Sequence, residues 1–184
     1  VIFLEHRWLL NSLGEVPLDD YRINLGNAKK ISKGNDITLV SMSYMTVEAK
    51  IAQKYLEKYN ISIDLIDLRT VKPIDFETIV DSLKVTRKIL ILDTGVSTCS
   101  IASEIISHIS INYSSLLNES PVKITMPDVP EPTSYGLTKN FYPRAADIAQ
   151  KIISIIGIEG INPYEEIKKP SPHDVPGEWF KGPF

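Results

Sequence analysis

The run Ile89-Leu90-Ile91-Leu92, ended by Asp93, leaves the fewest choices of fold. Four consecutive aliphatic residues give a strand no polar face, so it must be covered on both sides. A parallel sheet held between helices meets that condition. Three further runs have strand character. Residues 37–42 are apolar and β-branched and follow the turn-forming Lys33-Gly34-Asn35-Asp36. Residues 61–68 alternate apolar and polar for part of their length, and residues 122–125 form a short run. The opening Val1-Ile2-Phe3-Leu4 reads as another buried strand.

Between these runs lie segments of helical period. Val47, Ala49, Ile51, Ala52, Tyr55, Leu56 and Tyr59 recur at helical spacing. Thr46 is the expected N-cap there, with Glu48 in the first turn, where the helix dipole favours an acid. After Pro73, Asp75 is expected to cap a helix carrying Ile79, Val80 and Leu83. Residues 97–110 put Ile101, Ala102, Ile105, Ile106 and Ile109 on one face. Residues 143–156 do the same with Ile148, Ile152, Ile153 and Ile156, and Pro143 suits a first turn. This alternation predicts an α/β fold over residues 1–156: three layers, α/β/α, around a mostly parallel sheet of about five strands. Residues 157–184 hold Pro163, Pro170, Pro172, Pro176 and Pro183 and lose their period after Ile167, so they read as an extended C-terminal arm.

A chain of 184 residues fits one domain with an appended arm. The net charge of -3 comes without a basic block, which argues against nucleic acid. Lys29-Lys30 and Lys168-Lys169 are too short to count as such a block and read as solvated surface. No apolar run reaches the length of a membrane span. The single cysteine, Cys99, cannot form an internal disulfide, which fits a reducing, cytoplasmic setting. Because residue 1 opens in mid-run without a methionine, it is read as a cut point in a longer protein.

In an open parallel sheet, ligands sit at the carboxyl ends of the strands. Those ends are Ser41-Met42-Ser43, Asp67-Leu68-Arg69-Thr70 and Asp93-Thr94-Gly95. The first turn has no glycine and the third has one, which falls short of a dinucleotide fingerprint, and no phosphate-loop lysine motif is present. His6, His108 and His173 are far apart, and Cys99 has no Cys or His at ligand spacing, so no metal set is read. His6 is taken as a structural hydrogen-bonding group, His108 as a partner of helix-end carbonyls, and His173 as solvated. Cys99 reads as a small buried side chain rather than an activated thiol. Arg69 and Asp93 fall at neighbouring strand ends if the strands follow sequence order. There they would form a salt bridge or face another subunit. No catalytic group emerges from the residues themselves.

Several stretches together resemble a known family. They are Val1-Ile2-Phe3-Leu4-Glu5, residues 22–29 followed by 34–40, Thr125-Met126-Pro127-Asp128-Val129-Pro130-Glu131-Pro132 and, most specifically, Ile66-Asp67-Leu68-Arg69-Thr70-Val71-Lys72-Pro73-Ile74-Asp75. In order and spacing they are similar to the C-terminal domain of the transketolase superfamily, closest to the beta subunit of 2-oxoacid dehydrogenases of the pyruvate type. The chain departs from the family after the fourth strand. An acidic, glycine-rich pattern there is replaced by Asp93-Thr94-Gly95 and residues 99–104, so side chains occupy space the family leaves open.

The resemblance implies an enzyme using thiamine diphosphate and Mg²⁺, both held by other domains, with no catalytic, cofactor or metal residue in this stretch. Oxidative decarboxylation of a 2-oxoacid is the expected overall reaction, with ketol transfer as the alternative; a stand-alone ligand-binding module of similar architecture is a further alternative. The implied partners are a second copy, an alpha-type subunit and the lipoyl acyltransferase component. Glu119, near the last strand, is the nearest candidate for contact with the acyltransferase. Arg69 and Asp93 are further interface candidates. Trp179, Phe180 and Phe184 in the arm are expected either to anchor a partner or to fold back onto their own domain.

Overall fold

Alternate residues of a strand point to opposite faces of its sheet, and this chain fills both faces with apolar side chains. A computed structural model describes residues 2–182. Ile37, Leu39, Ile63, Leu65, Leu90 and Leu92 join one core, and Val40, Ile66, Ile89 and Ile91 join the other. Helices α1 (Met45–Leu56) and α4 (Ala145–Ile156) cover the first face through Ala49, Ala52, Leu56, Ile148, Ala149 and Ile152. Helices α2 (Phe76–Thr86) and α3 (Ile101–Asn112) cover the second through Ile79, Leu83, Ala102, Ile105 and Ile109. These are the three layers that the alternation predicts.

The strands are β1 (Lys29–Lys30), β2 (Ile37–Ser41), β3 (Ile63–Asp67), β4 (Ile89–Val96) and β5 (Val122–Met126). Their order in the sheet is β1-β3-β2-β4-β5, with only β1 antiparallel. The chain moves outward from β2 to β3, crosses back over β2 to reach β4, and continues to β5. Strand order is therefore not sequence order. The fifth strand is also not the opening run. Residues 2–4 form no strand, and Ile2, Phe3 and Leu4 are 88%, 83% and 83% exposed; Val1 lies outside the described residues.

In its place, Lys29-Lys30 pairs with β3, and Lys30 Nζ reaches Asp64 at 3.1 Å. Asp64 is buried on the α2 face beside Thr38. Ser82 of α2 donates to it at 2.7 Å, and Thr38 lies 2.7 Å from Ser82 and 2.6 Å from Thr86. Lys30 thus supplies the countercharge that a buried carboxylate needs, which a two-residue polar strand could not signal by periodicity. Gly34 leads into β2 so closely that a Cβ would stand 2.3 Å from the Ile63 backbone, so only glycine fits there.

Asp75 caps α2, accepting from Thr78 N at 3.0 Å, as expected. Thr46 does not cap α1. It is buried in the first turn, 3.0 Å from Ser41 Oγ, and Tyr44 holds the N-cap position. Pro143 stands just outside α4, whose N-cap is Arg144. After α4, Ile158, Ile161 and Ile167 pack against the α1–α4 core, and a short helix α5 (Pro163–Glu166) intervenes. Glu166 accepts from Tyr59 at 2.6 Å and Lys58 at 3.0 Å, fastening α5 to the end of α1. Among the described residues no helix is long and apolar enough to cross a membrane.

Candidate functional site

The parallel strands present their carboxyl ends along one edge, the usual place for function in such sheets. Just beyond each of β2, β3 and β4 stands a non-glycine residue in left-handed backbone: Ser43 (φ 53°), Arg69 (φ 56°) and Cys99 (φ 54°). All three are exposed. Each such residue costs about 1 kcal/mol, so the surrounding loops must impose the geometry.

Local hydrogen bonds do so. At the β3 end, Arg69 Nε lies 3.5 Å from Asp67 Oδ2, Thr70 Oγ1 accepts from Gly26 N at 3.1 Å, and Asp75 accepts from Ala28 N at 2.8 Å. Burial works to raise the Asp75 pKa, but the bonds from Thr78 and Ala28 outweigh it and hold the carboxyl below its ordinary value. At the β4 end, buried Asp93 accepts from Gly95 N at 2.8 Å and Ala102 N at 2.9 Å, shaping the turn into α3. Arg69 and Asp93 are not brought together, because β2 lies between their strands. Cys99, expected to be buried, is exposed, since the left-handed turn at this residue comes before the helix begins at Ile101.

The densest polar cluster lies at the β2 end, between α1 and α4. Glu48 and Arg144, each with a 5% exposed side chain, pair at 3.2 Å. Glu48 also accepts from Ala145 N at 2.8 Å and from the Tyr44 hydroxyl. Arg144 donates to Tyr44 at 2.7 Å and to the carbonyls of His173 and Val175, each at 3.0 Å. Its guanidinium carbon lies 4.8 Å from the centre of the Trp8 ring, 5.7 Å from that of Tyr142 and 5.9 Å from that of Tyr44. Burial, with the Glu48 carboxylate second, pushes the Tyr44 hydroxyl far above its ordinary pKa, so it stays protonated. Tyr142, half-buried and donating to Glu131 at 2.5 Å, is raised to about 12. His6 stacks on Tyr44 and accepts from Trp8 N at 3.3 Å; burial lowers its pKa, with Glu131 opposing.

Sequence reasoning found neither Glu48 nor Arg144 as partners. The signal was an acid on the buried stripe of α1, three residues after Met45 and four before Ala52. His173, expected in solvent, is half-buried, 3.1 Å from Thr138 Oγ1 and 2.8 Å from the Tyr135 carbonyl. His108 stacks on Phe76 at 3.7 Å between ring centres instead of meeting helix carbonyls.

Trp179 and Phe180 are half-buried with ring centres 6.4 Å apart, Glu119 is exposed shortly before β5, and Phe184 lies outside the described residues. Among the described residues no three His, Cys, Asp or Glu converge as a metal would require. A cleft of about 260 Å³ lies beside the amino end of β3, and one of about 660 Å³ adjoins the cage at Tyr142, between β5, α4 and Tyr164.

The strap, residues 2–25, runs between two of these corners. Trp8 rests on Tyr44 and Arg144, and Gly26 is tied to Thr70. Gly26 adopts φ +86°, which suits glycine, against Pro73. Between the anchors Leu10, Leu13, Val16, Leu18, Tyr21, Ile23 and Leu25 are exposed.

Residues 26–148 match the family described as transketolase, C-terminal domain. Over 156 residues the chain is 35% identical to the pyruvate dehydrogenase E1 component subunit beta of Mesostigma viride, covering 85% of this chain and 48% of that protein. Over 149 residues it is 32% identical to the acetoin:2,6-dichlorophenolindophenol oxidoreductase subunit beta of Cupriavidus necator, covering 81% and 44%. A solved split-gene transketolase, described as an inactive beta4 tetramer, matches with a TM-score of 0.67 at 25% identity, over 80% of this chain and 48% of that one. The chain spans about half the length of the curated relatives it matches. With its doubly wound sheet and the match spanning Gly26 to Ile148, the chain belongs to the transketolase C-terminal domain family.

Proposed function

We propose that this chain is the assembly and docking domain of a thiamine-diphosphate-dependent beta-type subunit, whose whole enzyme decarboxylates a 2-oxoacid such as pyruvate oxidatively. The observation that carries this reading is the strap: Leu13 and Leu18 are fully exposed within a stretch of unburied apolar side chains whose anchors stand beyond the carboxyl ends of β2 and β3. So much apolar surface on one segment marks a contact that a partner covers. A second copy of the chain and an alpha-type subunit are the partners. Arg69, Glu119, Trp179 and Phe180 extend the contact surface, while Asp93 acts from inside by setting the loop before α3. Phe184 belongs to the same arm.

Glu119 and the arm are the surface for the lipoyl acyltransferase component, and the setting is cytoplasmic. In this reading thiamine diphosphate and Mg²⁺ belong to the whole enzyme and are bound by its other domains. The relationship to a split-gene transketolase favours ketol transfer as the second reading of the whole enzyme's reaction.

Sedimentation velocity on the chain, with melting curves taken with and without thiamine diphosphate and Mg²⁺, tests the reading. Self-association with an unchanged melting temperature is expected, because a ligand stabilises only a protein with a site for it. A monomer that the cofactor stabilises would overturn it.

A further inference from the structure

The cage around Arg144 joins two stretches of chain that no strand or long helix connects. Trp8 belongs to the strap before β1, and His173 and Val175 belong to the arm after α5. One guanidinium serves both. Its central carbon lies over the Trp8 ring, 4.8 Å from the ring centre, and Nη2 donates to the two arm carbonyls at 3.0 Å each. Nη1 is committed to Tyr44 and Glu48. The guanidinium is planar and rigid, so it cannot turn toward one stretch without leaving the other. Without the arm, Nη2 would lose both protein acceptors and open to water, and the fork would no longer be held in one orientation over Trp8.

We propose that Arg144 is a positioning residue coupling the strap to the C-terminal arm, so that seating the arm orders the strap. The coupling rests on this geometry alone; only its consequence for oligomer formation rests on the function proposed above. A second, exposed link runs from Lys181 N to Asn11 Oδ1 at 3.2 Å, and it must be removed to isolate the effect.

Hydrogen exchange on the 184-residue chain carrying Asn11→Ala tests the coupling. Deleting residues 168–184 is expected to speed exchange of the strap amides of Trp8, Leu9 and Leu10 by about tenfold. These amides donate to His6 Nδ1, His6 O and Arg7 O in the native turn. Trp8→Ala is expected to speed exchange at Phe180 N, which donates to Gly177 O, by a similar factor. Arg144→Lys keeps a charge beside Glu48 but has no fork. In that background each change should leave the other stretch within about twofold of its parent.

Strap exchange unaltered by loss of the arm would overturn the proposal, as would equal acceleration in the Arg144→Lys background. If that variant does not fold, the comparison of arm loss with Trp8→Ala decides, because uncoupled stretches respond singly. Sedimentation of the same proteins keeps the two ideas apart. A parent that never self-associates defeats the assembly reading, while the exchange rates still decide the coupling.

Discussion

A buried charge is tolerable only while its partner stays in place, and Glu48 and Arg144 show how sharply that acts on single residues. Glu48→Ala leaves a guanidinium in a site with 5% exposure and removes the acceptor of Ala145 N. The expected loss is about 3 kcal/mol, read from urea unfolding. Asp75 gives a milder case with a pH signature. Asp75→Ala removes the α2 cap and the tie to Ala28, for an expected loss of about 1–2 kcal/mol. Its folded pKa is depressed, so its contribution is fully present above about pH 4, its unfolded value, and disappears as pH falls through the lower folded value. Stability curves of wild type and Asp75→Ala should therefore converge below that range. At Cys99 the strain runs the other way. A side chain in left-handed backbone favours replacement by glycine, so Cys99→Gly should raise stability by up to about 1 kcal/mol in thermal melts.

At the scale of elements, the strand runs and helix stripes were legible because burial on two faces leaves a periodic record in apolar residues. Ile89 to Leu92 declared itself a central strand, and it is buried throughout. What periodicity cannot carry is the order of strands and the identity of short polar edges. Residues 2–4 are as apolar as a core strand yet stay exposed, because apolar composition alone does not supply a neighbouring strand to pair with. Lys29-Lys30 became a strand because Asp64 draws Lys30 across the sheet edge. The same carboxylate ties α2 to the sheet through Ser82, and the acid and the serine are 18 residues apart in sequence. Ser82→Ala is expected to cost about 1–2 kcal/mol, since Asp64 already has one oxygen without a partner. In a double-mutant cycle, Ser82→Ala should cost much less once Asp64 is also replaced by Ala, because the penalty belongs to the stranded acceptor. Additive losses would show that α2 is held by packing alone.

For the whole molecule, the strap and the arm converge on Arg144. The strap reaches the Tyr44–Arg144 corner at Trp8 and leaves at Gly26, and the arm arrives at the same guanidinium through His173 and Val175. The core beneath is complete without the outer face of the strap, since Leu13 and Leu18 are fully exposed and the buried clusters are built from other residues. Stability and association therefore separate by position. A Leu13→Ser, Leu18→Ser double variant should unfold within about 0.5 kcal/mol of wild type, because both side chains are exposed. The same variant should sediment as smaller species at concentrations where wild type associates, because apolar contact at the centre of an interface carries most of its binding energy. If the oligomer survives while stability is unchanged, the covered surface is not the strap, and the contact must be sought at the arm or at the free edge of β5.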